Sequence, residues 1–369
     1  MSPRTFVLAF LLLYGVVLSV GLRFEVPFHR PWEQLVLDDN SGFAPSARVE
    51  TIAVGDLGHE AGIPSLRVPR LVRFTTDAAG FRNPTFEEPP QVVTVGDSFT
   101  AGAGLDDADT LARQLAAKTG LRVYNRGAGT LAGPAHYLSD GRFFRRPPGV
   151  VVYCPSQRGL DARSLKPVSR SLERTEPSLW PRPSELLGPG AGDAIRRTLR
   201  RVERYQGLSR LAIDSLGEVR FRLLGHPWVG VAEGAPALRL PARTAGFDRA
   251  DRVEGVDATV AMVRRFAGLV AQRGVALVFC PIPDAGDVYP ELYSEAARRR
   301  FVNPPIVDRV VAAARRAGLR VVDLPALFRA HRSPYLYWRD DSHWAPHAVA
   351  LTAEALAPVV QRLAEGGGG

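Results

Sequence analysis

The chain has 369 residues, 46% of them hydrophobic and 23% charged, with a formal net charge of +9. This is ordinary globular composition, enough for a sizeable core in one large domain or two modest ones. The positive balance would suit an anionic partner, but Arg dominates it and is spread along the chain. No compact basic run and no nucleic-acid motif is present, which sets nucleic-acid binding aside.

Thr5–Leu22 is an uncharged apolar stretch flanked by Arg4 and Arg23, just long enough to span a bilayer. Val20-Gly-Leu-Arg is a poor cleavage site, so residues 1–23 are expected to be an uncleaved signal anchor, a transmembrane helix, in preference to a cleaved signal. Arg4 and the amino terminus on the cytoplasmic side would put the rest outside the cytoplasm, periplasmic or extracellular by bacterial-type export, although Arg23 and Arg30 weaken that charge argument. Residues 24–88 read as an irregular N-terminal extension with short β runs and many turn residues.

From there the pattern changes. Gln91-Val-Val-Thr-Val predicts a buried strand, Asp109–Lys118 a helix, Leu121-Arg-Val-Tyr a second strand and Pro134–Phe144 a helix. Val150-Val-Val-Tyr-Cys is a third strand. Residues 156–250, rich in Pro and Arg with one basic helical stretch at Gly192–Tyr205, read as an insertion. Asp251–Val270 is an amphipathic helix with Val253, Val256, Val260, Val263 and Val270 on one face. Val275–Cys280 is a fourth strand, Pro305–Ala317 a helix, Leu319-Arg-Val-Val a fifth strand and Ala345–Leu363 the last helix. Strands alternating with helices at this spacing imply a parallel sheet covered on both faces. The two cysteines, Cys154 and Cys280, each end an apolar run and are expected as buried strand thiols; spacing alone does not join them. No metal-ligand cluster is visible.

The chemistry concentrates in two stretches. In Val92-Val-Thr-Val-Gly-Asp-Ser-Phe-Thr a strand runs straight into Gly-Asp-Ser, placing Ser98 at the carboxyl end of a central strand, where ligands bind in open α/β sheets. A serine nucleophile needs a base to take its proton. Tyr337-Trp-Arg-Asp-Asp-Ser-His-Trp-Ala-Pro, between the fifth strand and the last helix, offers His343 as that base, with Asp341 or Asp340 to orient its ring. The alternative is a pair of loops whose acids and serine only cap helices.

Gly96-Asp-Ser-Phe-Thr resembles the first block of the SGNH/GDSL hydrolases, and Asp341-Ser-His-Trp resembles their last block in its Asp-x-His-Trp form. Thr76-Asp-Ala-Ala-Gly-Phe-Arg-Asn is similar to an element preceding the nucleophile strand in exported members. Asn125-Arg-Gly-Ala-Gly resembles the second block. Pro281-Ile-Pro-Asp-Ala-Gly-Asp-Val-Tyr-Pro-Glu resembles a Pro-rich loop of the alginate O-acetyltransferase-like group. The likeness covers roughly 75–160 and 255–360. It implies a flavodoxin-like three-layer α/β/α sandwich with a parallel five-stranded sheet, a hydrolase-like domain at 89–365, and no cofactor. It implies Ser98 as nucleophile, His343 as base and Asp341, with Asp340 as alternative, as the acid. The oxyanion donors would be the Ser98 N–H and that of Gly129 or Thr130. The third block departs: Tyr153-Cys-Pro-Ser-Gln-Arg-Gly has no Asn, and Arg158 there either binds the acyl oxygen or an anionic substrate or is a surface loop residue. Trp344 either packs beside the loop or lines an acyl or sugar site.

Three functions are compatible with these residues. The first is O-acetyl transfer from an acyl-ester donor to an exported polysaccharide, with a membrane acyltransferase as possible partner. The second is hydrolysis of carbohydrate or lipid esters by the same triad. The third is an inactive glycan-binding accessory module.

Overall fold

A computed structural model of the chain describes residues 35–37, 42–60, 62–84, 89–128, 133–157, 160, 207–224, 249–292 and 306–366, with isolated positions 5, 9 and 12. Apart from those three positions the expected signal anchor lies outside the described residues, as do the basic stretch 192–205 and most of the 156–250 insertion. Among the described residues no helix is long and apolar enough to cross a membrane.

The extension is more ordered than its sequence suggests. Strand β1 (Arg48–Ala53) pairs antiparallel with β2 (Arg70–Thr75), in a register that sets Ile52 against Leu71 and Ala53 against Arg70. Alternation puts Ala53, Val72 and Phe74 on a buried face with Phe43 and Ala101, and leaves Ile52 and Leu71 exposed.

The main sheet is parallel. Strands β3 (Val92–Gly96), β4 (Val123–Gly127), β5 (Val150–Cys154) and β6 (Ala276–Phe279) lie in the order β4-β3-β5-β6. Every residue of β3, β4 and β5 is buried, as expected where helices cover both faces. On one face Val92, Val150, Val152 and Val278 pack with the helices Leu111–Thr119, Leu324–Ala330 and Pro346–Gly366. On the other, Val93, Val95, Val151, Tyr153 and Phe279 meet the helices Gly133–Ser139, Arg249–Ala271 and Ile306–Arg316. The last of these turns Ile306, Val307, Val310, Val311 and Ala314 inward, the spacing of one helical face. The edge strand β4 is closed by a side chain: Asn83 Oδ1 accepts from Asn125 N–H at 2.6 Å and Asn83 Nδ2 donates to Asn125 O at 3.0 Å.

Two expectations need correction. Among the described residues the sheet has four strands, not five. Leu319–Val322 does run parallel beside β6, but only through a bridge between Val321 and Phe279, with Phe279 N–H donating to Arg320 O and Val322 N–H to Phe279 O. Phe279 is the last residue of β6, and Asp323 already accepts from Ala326 N–H to start the next helix. Upstream, Leu319 N–H is held by Ala314 O at the end of the preceding helix, so the pairing is confined to this one bridge. The helix expected at Pro134–Phe144 is two, Gly133–Ser139 and Gly141–Arg145, because Asp140 caps the second by accepting from Arg142 N–H. Cys154 and Cys280 are both buried and free. Burial and the neighbouring Cys280 push the Cys154 thiol well above its usual range, so no thiolate forms there to act as nucleophile.

Candidate active site

At the carboxyl end of β3 the chain turns through Asp97 into a short helix, Ser98–Ala101. Two glycines permit this. A Cβ on Gly96 would sit 2.1 Å from Thr100 Oγ1 and 2.4 Å from Cys154 O, and one on Gly127 would sit 2.2 Å from Ala101 N. The helix therefore rests directly on the backbones of β3, β4 and β5. Asp97 fixes the turn: Oδ1 accepts from Phe99 N–H at 3.0 Å, and Oδ2 accepts from Ser156 N–H and Oγ–H at 2.9 and 2.5 Å. Thr100 Oγ1 donates to Cys154 O at 2.8 Å. These bonds tie the ends of β3 and β5 together at the switch in strand order, where doubly wound sheets bind ligands. Ser98 is half-buried, and no hydrogen bond engages its backbone N–H among the described residues.

The second half of the site is a pinned loop. Tyr337 bridges Trp344 antiparallel, Trp338 N–H donates to His343 O at 3.2 Å and Ala345 N–H to Leu336 O at 2.9 Å. Residues 337–344 thus close like a hairpin before the final helix. Within it, Asp341 Oδ1 accepts from His343 N–H at 3.0 Å and from the ring Nδ1 at 2.7 Å. A carboxylate two residues ahead can bond both the backbone and the side chain of the histidine, the local geometry of an Asx turn. An ionised carboxylate only accepts, so Nδ1 carries the hydrogen and Nε2 is left as acceptor. Nε2 lies 2.9 Å from Ser98 Oγ. The ring packs on Phe99 at 4.7 Å between centroids.

The structure brings Ser98, His343 and Asp341 together and gives Asp340 a different place. Asp340 Oδ2 accepts from Gly55 N–H at 2.8 Å and Val68 N–H at 2.9 Å, and its carbonyl accepts from Gly58 N–H. It ties the extension to the loop. Trp344 is fully buried, stands edge-on to Phe99 and donates Nε1–H to Phe99 O at 3.2 Å. It packs behind the loop and lines no open site. Gly129, Thr130 and Arg158 lie outside the described residues.

Two groups beside the site, Arg70 and Asp56, carried no sequence signal, and Arg82 was marked only as part of a motif. Arg70 on β2 donates Nη1–H to Asp340 Oδ1 at 2.9 Å and Nη2–H to Asp341 Oδ2 at 2.8 Å. Asp56 accepts from Ser342 N–H at 2.7 Å and Ser342 Oγ–H at 2.6 Å. Asp56, Asp341 and His343 thereby gather ligand atoms within 4.8 Å of one another. Their oxygens already accept from the Ser342, His343, Leu57 and Arg70 donors, the donor pattern of a hydrogen-bonded carboxylate pair. Arg82, of the Gly-Phe-Arg element, is buried and donates to the carbonyls of Arg73, Gly102 and Leu105 and to Asp107. It shapes the turn that follows the Ser98 helix.

Residues 243–368 match the family described as "SGNH hydrolase-like domain, acetyltransferase AlgX". Over 104 residues, 28% of this chain, the sequence is 30% identical to the probable alginate O-acetylase AlgJ of Pseudomonas putida. The chain spans about a quarter, 27%, of that relative's length. Among solved structures, a putative lipolytic protein of the G-D-S-L family from Desulfitobacterium hafniense aligns with a TM-score of 0.35 at 12% identity, over 73% of this chain and 99% of that one. A carbohydrate acetylesterase family member from Sinorhizobium meliloti aligns with a TM-score of 0.31 at 12% identity, over 75% and 100%. The resemblance to the SGNH/GDSL hydrolases, nearest to the alginate O-acetyltransferase-like group, thus has its sequence match in the segment that carries Asp341 and His343.

Proposed function

We propose that this chain performs serine-dependent acyl-ester chemistry on carbohydrate, transferring an acetyl group through a Ser98 acyl-enzyme to a polysaccharide hydroxyl. One observation carries the reading: Ser98 Oγ, the His343 ring and the Asp341 carboxylate form a continuous relay, 2.9 Å at one joint and 2.7 Å at the other. Ser98 Oγ attacks the carbonyl carbon of a donor ester while its proton passes to His343 Nε2. Asp341 holds the Nδ1–H and stabilises the imidazolium. The Ser98 N–H faces the developing oxyanion as one donor. Collapse expels the donor's alcohol, which takes the proton back from Nε2 and leaves acetyl on Oγ. A sugar hydroxyl then attacks the acyl-enzyme, His343 taking its proton and returning it to Ser98 Oγ. The similarity of the C-terminal third to proteins named for acetyl transfer favours a sugar acceptor over water. The apolar N-terminal stretch is read as the anchor that holds this chemistry outside the cytoplasm, facing an exported glycan.

The test offers the full-length protein a chromogenic acetate ester with and without oligosaccharide. The expected result is more O-acetylated oligosaccharide than free acetate, and loss of both in S98A. Release of acetate alone, whatever glycan is offered, assigns hydrolysis instead. A fluorophosphonate probe that labels S98A as well as the wild type rejects the nucleophile.

A further inference from the structure

Asp340 and Asp341 are neighbours in sequence, and both side chains are fully buried. Two carboxylates side by side in a poorly solvated interior repel each other, and burial penalises each charge. Arg70, from a strand 270 residues away in sequence, lies between them with one guanidinium nitrogen on each. Its own position is over-determined. Nε donates to Gly104 O at 3.2 Å, Nη1 also donates to Val68 O at 3.1 Å, and the guanidinium sits 4.4 Å above the Trp338 ring. Only 8% of the side chain is exposed.

We propose that Arg70 is a positioning residue of the relay: by holding Asp341 Oδ2 at 2.8 Å it turns Oδ1 toward His343 Nδ1. The proposal rests on the reading of Ser98 as nucleophile. A guanidinium suits the task because its planar fork reaches two carboxylates at fixed angles and stays charged. An ammonium has the charge without the fork. Arg70 lies well outside residues 243–368, so the acid of the relay is aimed by a part of the chain that the family match does not include.

Kinetics with a chromogenic acetate ester on full-length R70Q, R70M, R70K and S98A, each with a melting curve, test this. R70Q and R70M are expected to lose about 100-fold in kcat with KM within about twofold, as for a reacting group displaced by about 1 Å. R70K is expected to recover part, to about tenfold below wild type. Wild-type kcat in a folded R70Q or R70M overturns the proposal, and so does a loss carried by KM alone. If those two variants do not fold, R70K decides: a lower kcat at unchanged KM supports the role, and wild-type kcat overturns it. Retained turnover in S98A would bring down the Ser98 reading itself, whereas an inactive S98A beside a fully active R70Q rejects only the role of Arg70.

Discussion

Gly55 has no room for a methyl group. A Cβ built there would lie 2.0 Å from Asp340 O, 2.3 Å from the Asp340 carbonyl carbon and 2.7 Å from Asp341 Cβ. The first of these falls 1.4 Å short of the 3.4 Å at which ordinary van der Waals contact begins. The obstacle is backbone, with no flexible side-chain tip to swing aside. In G55A either the Asp340–Asp341 backbone or the Gly55 segment must retreat by about 1 Å, as overpacked cores do when they relax. Either retreat strains Gly55 N–H···Asp340 Oδ2 at 2.8 Å and Gly58 N–H···Asp340 O at 2.9 Å. If the loop moves, the 2.7 Å joint between Asp341 and His343 opens beyond hydrogen-bonding reach. Two buried hydrogen bonds and the overpacking together put the stability loss at about 2–4 kcal/mol. The misaligned acid lowers kcat by about 100-fold. Urea denaturation reads the first figure and ester kinetics the second. Wild-type stability together with wild-type kcat in G55A would refute the claim that this glycine carries the acid's loop.

Other substitutions separate roles that lie close together. D341N keeps the side chain's shape but loses the charge that fixes the His343 tautomer and pairs with Arg70; it is expected to lower kcat by about 10³- to 10⁴-fold and to cost about 1–2 kcal/mol of stability. D340N removes a buried acceptor from Gly55, Val68 and Arg70, and is expected to cost about 2–3 kcal/mol of stability with a smaller loss of kcat. The reverse order in paired melting and kinetic measurements would return the orienting role to Asp340. R82M strands three backbone carbonyls and Asp107, and should lower the free energy of urea unfolding by about 3 kcal/mol; an unchanged midpoint would contradict the buried role given to Arg82.

The legibility of the site followed the range of the interactions. The sequence favoured Asp341 over Asp340, and the contact the structure shows is a local one: a carboxylate two residues ahead of His343 reaches both its backbone and its ring in an Asx-type turn. Ser98 was legible for a similar reason, since a buried strand entering Gly-Asp-Ser delivers the serine to the sheet's carboxyl edge. Arg70 and Asp56 were not legible. Their partners lie 271 and 286 positions away, and no periodicity or local motif encodes such a distance. Trp344 was legible as part of a motif with two readings, and the packing against Phe99 that encloses its ring selects the one beside the loop over the acyl or sugar site. The fifth strand failed for a different reason. Leu319–Val322 has the composition of a strand, but the helix end that holds Leu319 N–H and the Asp323 cap lie outside what composition reports.

The extension fastens to the sheet at Asn83 and to the loop at Gly55, Val68 and Arg70, so it is no portable module. A chimaera that grafts 89–365 onto another leader would carry Ser98, Asp341 and His343 intact in sequence, yet expose the rim of β4 and leave two adjacent acids without their cation. Any exchange of segments that is to keep this relay therefore has to move both parts of this chain together.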